Sequence, residues 1–298
     1  NQLTWAADKK GVQIVGVTAD NIISIIARII NAHPRVKTIY FTDDDFSVIP
    51  KDLIAFCKKI VEKKFDVTFM CLARMTDLNE QSIEWMGKAK FRNLNMGVET
   101  FSDKILKDLS KKCTAEVIHQ NIKYLQQNNI ALYMNIIIVT PESTLNDIEE
   151  TIFWVMYYIQ KENINVGINP WVMPLKGSNY YEMYADYATR VEKIPNTNHY
   201  VKRDSMIYVK DPHVRELQER MFNEMEAVVR QKKEEQKIVH GTSTKMAKFY
   251  LEYVRDVIQD IRIKYNLGPS VFLEKKDFID APNLSVHQQH FCSFRDNS

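Results

Sequence analysis

Three consecutive aspartates follow a short β-rich stretch in the segment KTIYFTDDDF, residues 37–46. Adjacent carboxylates repel one another, so a chain that places them after an apolar strand generally uses them to meet a positive charge. Three interpretations stay open: contact with a cationic group of a cofactor, a divalent metal site, and a solvated turn or helix cap. Strand side chains alternate, so a strand that stays regular would turn Asp43 and Asp45 to one side and Asp44 to the other.

Other polar residues also stand at or near the ends of apolar runs. Arg74 follows VTFMCLA, Glu99 follows NMGV, and Pro141 and Glu142 follow NIIIVT, whose first residue is Asn135. An arginine there can clamp a carboxylate, a glutamate can accept hydrogen bonds from ribose hydroxyls, and an asparagine among isoleucines needs a partner. Structural interpretations compete with these: a surface ion pair for Arg74, and an interaction with the following helix dipole for Glu142.

The elements that must position these residues alternate along the chain. Runs rich in β-branched and aromatic residues predict five strands, and amphipathic patterns between them predict helices. The predicted strands are Lys37–Thr42, Asp66–Ala73, Asn93–Val98, Leu132–Val139 and Ile164–Val172. A strand-to-strand period of roughly 30 to 40 residues is the size of a βα unit and predicts a parallel sheet covered by helices. A closed barrel and an open doubly wound sheet both fit, although the absence of GxGxxG leaves a dinucleotide fold unsupported.

Composition bounds the function classes. The 298 residues are 45% hydrophobic and carry a formal net charge of +2, which fits a soluble globular protein and does not indicate nucleic-acid binding. No apolar run approaches the ~20 residues that a membrane span needs, and the chain starts without a signal-peptide pattern. None of the four cysteines is part of a CxxC pair, a usage that favours a reducing cytoplasm.

Five segments in succession carry a family resemblance. They are VKTIYFTDDDF, TFMCLARMTDL, LNMGVETFSDKILKDLSKKCT, NIIIVTPESTLNDIEETI and INPWVMPLKGSNYYE. In this order and at this spacing they resemble the radical S-adenosylmethionine (SAM) superfamily, most of all its branch of cobalamin-binding enzymes and methylthiotransferases. The resemblance covers about residues 17 to 185.

The resemblance implies a partial (βα)₆ TIM-like barrel. Residues 1–190 would form the barrel core without its first βα unit, and residues 191–298 a helical extension. The superfamily's CxxxCxxC motif, which binds a [4Fe–4S] cluster, is absent, and its expected place is upstream of Asn1. We expect a truncated chain rather than a degenerate one, because loss of one βα unit would leave an open barrel edge.

The resemblance also implies a set of SAM-binding residues, without a catalytic side chain or a metal ligand. They are Asp43, Asp44, Asp45, Arg74, Glu99, Lys112, Asn135, Pro141 and Glu142. The aspartates would approach the methionyl amino group, Arg74 the methionyl carboxylate, Glu99 the ribose, and the Pro141 turn the adenine. Lys112 matches a family lysine, although Cys113 stands where the family has glycine.

The implied function is a radical SAM enzyme, of oxidoreductase or transferase class. Reductive cleavage of SAM would yield a 5′-deoxyadenosyl radical that abstracts hydrogen from a small-molecule or peptide substrate, with flavodoxin or ferredoxin as electron donor. Cobalamin-linked methyl transfer stays open. Two alternatives remain: a non-catalytic barrel or binding module, and a divalent-metal enzyme that uses Asp43–Asp45. No membrane partner is expected.

Overall fold

Five parallel strands in the order β1-β2-β3-β4-β5 form the central sheet of the computed structural model, which describes residues 18–172, 190–193, 200–203, 207–235 and 243–272. The strands are β1 (Thr38–Phe41), β2 (Thr68–Ala73), β3 (Phe91–Glu99), β4 (Ala131–Val139) and β5 (Ile164–Trp171). Each strand pairs with the next in the chain, without the reversal of order that a doubly wound sheet shows. The predicted α/β fold with a partial TIM-like barrel is therefore confirmed.

Helices precede and connect the strands. They are α1 (Ala19–Ala32), α2 (Pro50–Lys63), α3 (Glu80–Lys88), α4 (Asp103–Asp108), α5 (Ala115–Gln127) and α6 (Leu145–Tyr158), with a 3₁₀ turn at Met75–Asp77. Most begin at a residue whose side chain accepts a hydrogen bond from a backbone N–H of the first turn, such as Asn79 for α3 and Thr144 for α6. These caps satisfy backbone N–H groups of the first turn and fix the residue at which each of these helices begins.

The two faces of the sheet differ in character. One face carries buried apolar side chains, including Phe69, Leu94 and Met134, which share a single core with the helices. The opposite face, here called the polar face, carries more exposed and more polar side chains. Its members are Thr38, Tyr40, Thr68, Met70, Leu72, Asn93, Asn95, Gly97, Glu99, Ala131, Tyr133, Asn135, Ile137, Asn165, Gly167 and Asn169. Thr244, in helix Ser243–Tyr265, donates to Asn165 of this face at 3.1 Å, so its polar side chains are suited to hydrogen bonds with groups outside the sheet.

The C-terminal part adds a hairpin and two long helices. Strands β6 (Arg190–Lys193) and β7 (Tyr200–Arg203) pair antiparallel, and helices α7 (Pro212–Glu235) and α8 (Ser243–Tyr265) pack on each other. Helix α8 also packs on β5 and α6, so the helical extension adjoins the sheet. The division at residues 190 and 191 stays a prediction. In the part of the chain that the structure describes, no helix has the length and apolar character of a membrane span.

A buried ion pair fixes α8 on α6. Arg262 Nε donates to Glu149 Oε1 at 2.7 Å, and its Nη2 donates to Glu149 Oε2 at 2.6 Å and to Asn146 Oδ1 at 2.5 Å. The Glu149 side chain is fully buried and that of Arg262 is 10% exposed. Bidentate geometry of this kind satisfies both carboxylate oxygens, which is the condition for holding a charge away from water.

An aromatic cluster encloses a histidine between α5 and α6. The His119 ring stacks on Phe101 at 5.2 Å and lies 4.2 Å from Trp154, and its Nδ1 is 2.7 Å from the Tyr158 hydroxyl. Burial lowers the pKa of His119 to about 4, although the Asp103 carboxylate acts in the opposite direction. His119 is therefore neutral in the folded protein at physiological pH.

We expect His119 to make the fold sensitive to mild acid. Its folded pKa of about 4 lies below the ordinary 6.5, so the folded state binds fewer protons than the unfolded state between these values. The stability contribution is present above pH 6.5 and is lost as the pH falls through 4, a decrease of up to about 3 kcal/mol. Urea unfolding of the wild type and of His119→Gln at both ends of this range tests it. An equally steep decrease in the variant would rule out His119 as the cause.

Candidate functional site

The three aspartates lie in a turn rather than on a strand. Strand β1 ends at Phe41, and the chain then crosses the end of β2, where the Phe46 N–H donates to the Leu72 carbonyl at 3.0 Å. Asp43 and Asp44 are exposed, whereas Asp45 is 8% exposed. The alternation that grouped Asp43 with Asp45 is therefore wrong, because the regular strand stops two residues before it would apply.

Asp45 and Arg74 contact each other at the ends of β1 and β2. Asp45 Oδ2 lies 3.1 Å from Arg74 Nε, as an ion pair without the alignment of a hydrogen bond. Asp45 Oδ1 accepts hydrogen bonds from the Ser47 N–H and hydroxyl at 3.0 and 2.8 Å. Burial raises the pKa of Asp45 to about 6, and the neighbouring Asp77 carboxyl acts in the same direction. Asp45 is thus positioned to orient Arg74, whose side chain remains 34% exposed.

Metal-binding groups do not converge in the described ranges. One aspartate of the trio is buried against Arg74 and the other two are exposed, so the three carboxylates do not share one site. Within residues 18–172 and the described C-terminal segments, no group of three His, Cys, Asp or Glu side chains could hold a metal ion. The described residues therefore do not supply the ligands of an iron–sulfur cluster or of the divalent-metal alternative, while Cys292 lies outside them.

Glu99 folds back over its own strand. It takes a left-handed backbone conformation with φ of 68°, and the β3–β4 register shifts between Gly97 and Glu99. A Cβ built on Gly97 would lie 2.3 Å from Glu99 Oε1, so only glycine leaves room for the carboxylate. The side chain is 17% exposed, which places a partly accessible carboxylate at the end of β3. This geometry suits hydrogen-bond donors such as a pair of ribose hydroxyls.

The lysine that contacts Glu99 is Lys111. Its Nζ lies 2.8 Å from Glu99 Oε1 and 3.4 Å from the Gly97 carbonyl, whereas Lys112 is exposed and forms no hydrogen bond or ion pair with the described residues. Ser110 takes a left-handed conformation, and the Lys111 N–H bonds the Leu106 carbonyl at 2.9 Å. This turn at the end of the helix directs Lys111 toward β3. The sequence pattern alone does not show which of the two adjacent lysines the turn selects.

Asn135 lies at the centre of a row across three strands. Its register partners are Gly97 on β3 and Gly167 on β5. The Asn135 amide donates to Asn95 Oδ1 at 2.6 Å, which supplies the partner that its position required. We call Gly97, Asn135 and Gly167 the central row of the polar face. Sequence reasoning found Asn135 and missed Asn95, whose alternation with buried Leu94 and Met96 is the signal that could have found it.

The turn after β4 is held by the chain before α7. The Lys210 N–H donates to the Pro141 carbonyl at 3.0 Å, and Lys210 Nζ lies 2.6 Å from Glu142 Oε1. Lys104 Nζ donates to the Glu142 carbonyl at 2.5 Å. Pro141 and Glu142 therefore sit at a strand end as predicted, with Glu142 in contact with the helical extension. Lys210, 68 positions further along the chain than Glu142, carried no signal in the sequence.

Four of the nine candidate SAM-binding residues, Asp45, Arg74, Glu99 and Asn135, form two groups on the sheet. Asp45 and Arg74 stand at the ends of β1 and β2, and Glu99 stands with Lys111 and the central row at β3 to β5. Because parallel strands place their carboxyl ends along one edge, Asp45, Arg74 and Glu99 lie along the same edge of the sheet. Partly exposed carboxylates, a guanidinium and amides fit the charged methionyl and hydroxylated ribosyl parts of SAM.

Comparison with known proteins gave one family and several relatives. A family model described as the radical SAM superfamily matches residues 7–155. An uncharacterized methyltransferase of Pyrococcus horikoshii is 25% identical over 117 residues, which are 39% of this chain and 26% of that protein. The chain therefore spans about a quarter of that relative's length.

Solved structures share the fold at low identity. The cobalamin-dependent S-adenosylmethionine radical enzyme OxsB in its apo form matches with a TM-score of 0.60 and 13% identity, over 94% of this chain and 46% of that chain. Its form with aqua-cobalamin and S-adenosylmethionine bound matches with a TM-score of 0.55 and 15% identity, over the same shares. At this identity the likeness shows the fold alone, and the chain spans less than half of OxsB.

Proposed function

The chain belongs to the radical SAM superfamily, and from this premise we propose that its strand ends bind S-adenosylmethionine for radical generation. The observation that carries the proposal is the Glu99 carboxylate, which stands at the end of β3 over a glycine and beside Lys111. A partly exposed carboxylate held in this way accepts hydrogen bonds from vicinal hydroxyls. The fold supports it, because ligands of barrel proteins bind at the carboxyl ends of the strands.

The described residues would bind and orient SAM. Glu99 would accept the ribose hydroxyls, while Lys111 holds the carboxylate in its folded-back position. Arg74 would pair with the methionyl carboxylate, since Asp45 orients the guanidinium and part of it stays exposed. Asp43 and Asp44 follow β1 directly in the chain and are exposed. Their negative charges would attract the methionyl ammonium. Orientation of this kind precedes any bond cleavage.

Radical chemistry needs a reductant that the described residues do not supply. In the superfamily a [4Fe–4S] cluster provides the electron for SAM cleavage, and the described residues contain no set of ligands for it. We assign to them SAM binding and protection of the site from water. The proposal further includes hydrogen abstraction from a small-molecule or peptide substrate, with flavodoxin or ferredoxin as the electron donor. It also includes cobalamin-linked methyl transfer. So does a cytoplasmic location, which the free thiols of Cys57, Cys71 and Cys113 favour.

Production of 5′-deoxyadenosine tests the proposal. The full-length protein, reconstituted anaerobically with iron and sulfide, should release 5′-deoxyadenosine when given SAM and dithionite. Lys111→Gln should lower the yield more than Lys112→Gln, because only Lys111 contacts Glu99. Lys107→Gln, an exposed substitution on α4, serves as the matched control. SAM binding without 5′-deoxyadenosine would support a binding module instead, and failure to bind SAM would overturn the proposal.

A further inference from the structure

Each of the two glycines in the central row has a polar side chain over it, which is Glu99 at Gly97 and Tyr133 at Gly167. A Cβ built on Gly167 would lie 2.6 Å from the Tyr133 hydroxyl oxygen and 3.0–3.1 Å from two ring carbons. Tyr133 is two residues before Asn135 on the polar face, so its ring leans along β4 and over β5. Gly167 is thus the cradle of the Tyr133 ring, as Gly97 is the cradle of the Glu99 carboxylate.

The Tyr133 hydroxyl has the features of a ligand-binding group. The side chain is half-buried, and its hydroxyl has no hydrogen-bond partner among residues 18–172 or the described C-terminal segments. A half-buried tyrosine hydroxyl that none of the described residues bonds can donate a hydrogen bond to a ligand or accept one from it.

Spacing along the row indicates which ligand it fits. Glu99 Oε1 stands over Gly97 and the Tyr133 hydroxyl over Gly167, with Asn135 between them in register. Neighbouring strands are about 4.8 Å apart, so the two oxygens are separated by about 10 Å across the face. A nucleoside has this length: a diol that donates to the carboxylate at one end, and a base edge with hydrogen-bonding groups at the other.

We propose that Tyr133, held by Gly167, bonds the base edge of the nucleoside whose ribose Glu99 binds. The inference rests on the proposed function and deepens it, because it assigns a residue to recognition of the adenine of SAM. The hydroxyl can donate to a ring nitrogen or accept from the exocyclic amine, so it would favour adenine over a base that lacks a partner there.

Titration with S-adenosylhomocysteine tests the assignment, measured by calorimetry on the full-length protein. Tyr133→Phe keeps the ring and removes only the hydroxyl, so it should weaken binding about five- to tenfold. Tyr124→Phe, the same change on helix α5 away from the polar face, should leave the affinity as in the wild type. Equal affinities of Tyr133→Phe and the wild type would overturn the inference, while the wild type's own binding would leave the proposed function standing.

A double-mutant cycle tests the cradle itself. Gly167→Ala should weaken binding at least as much as Tyr133→Phe, because the added methyl displaces the ring. In a Tyr133→Ala background the same Gly167→Ala change should have no further effect, since the ring is gone. Additive losses would overturn the cradle, and a wild type that does not bind S-adenosylhomocysteine would overturn both the inference and the proposed function.

Discussion

Replacing Arg262 by methionine should lower the free energy of unfolding by about 3–5 kcal/mol. The substitution removes both hydrogen bonds to Glu149 and leaves that carboxylate fully buried without its cation. Removing one member of a buried pair costs more than the pair contributes, because the remaining charge has lost its compensation. Urea denaturation followed by circular dichroism at neutral pH measures the change.

The matched control replaces both partners. Glu149→Leu combined with Arg262→Met removes the buried charge along with its counterion, so most of the lost stability should return. Lys264 lies two residues after Arg262 on α8 and forms an exposed ion pair with Glu216 of α7. Lys264→Met should therefore lower the free energy of unfolding by less than about 1 kcal/mol. If Arg262→Met were as mild as Lys264→Met, the pair would not be what holds α8 on α6.

Replacing Gly97 by alanine should reduce the affinity for SAM by about 10- to 100-fold. The new methyl carbon would lie 2.3 Å from Glu99 Oε1, which is too close for two unbonded atoms. The carboxylate would therefore have to leave its place at the end of β3. Each hydrogen bond to a charged group contributes about 1.5–3 kcal/mol, so a displaced carboxylate loses one or two such bonds to the ribose. Calorimetric titration of the full-length protein with SAM measures the loss.

The fold should survive this change, because the displaced atom is the far end of a flexible side chain. A thermal midpoint close to that of the wild type would show that affinity and not folding is affected. In a Glu99→Gln background, Gly97→Ala should weaken binding much less, since both substitutions act through the same carboxylate. An undiminished affinity in Gly97→Ala would remove Glu99 from the ribose site.

The sequence predicted the strands and the polar strand ends because both depend on local pattern. Runs such as FDVTFMCLA and LYMNIIIV alternate, and the core they form requires that alternation. Asn135 was found for the same reason, as a polar residue in an apolar run. The superfamily, too, was predicted from five short segments and is confirmed by the match over residues 7–155.

Features that depend on backbone conformation or on distant residues were not predictable in this way. Of the three consecutive aspartates, the turn after Phe41 buries only Asp45. The left-handed backbone of Ser110 determines that Lys111, rather than Lys112, contacts Glu99. The contact of Arg262 with Glu149 joins residues 113 positions apart, and no periodicity reports such a distance. The contacts of Glu99 with Gly97 and of Tyr133 with Gly167 were not predictable for a different reason. A glycine in a sequence does not show which side chain lies over it in the fold.

Contacts between the extension and the sheet have a consequence for cooperativity. Lys210 is bound to the turn before α6, and Arg262 is bound to α6 itself. Helix α6 therefore cannot open locally without breaking contacts to segments far along the chain, and those segments lose their anchor if α6 opens. β4, α6 and α8 should open as one unit whose backbone amides exchange with solvent only through a large, shared unfolding event. The end of the sheet that would bind SAM therefore belongs to the part of the protein whose backbone amides should exchange most slowly.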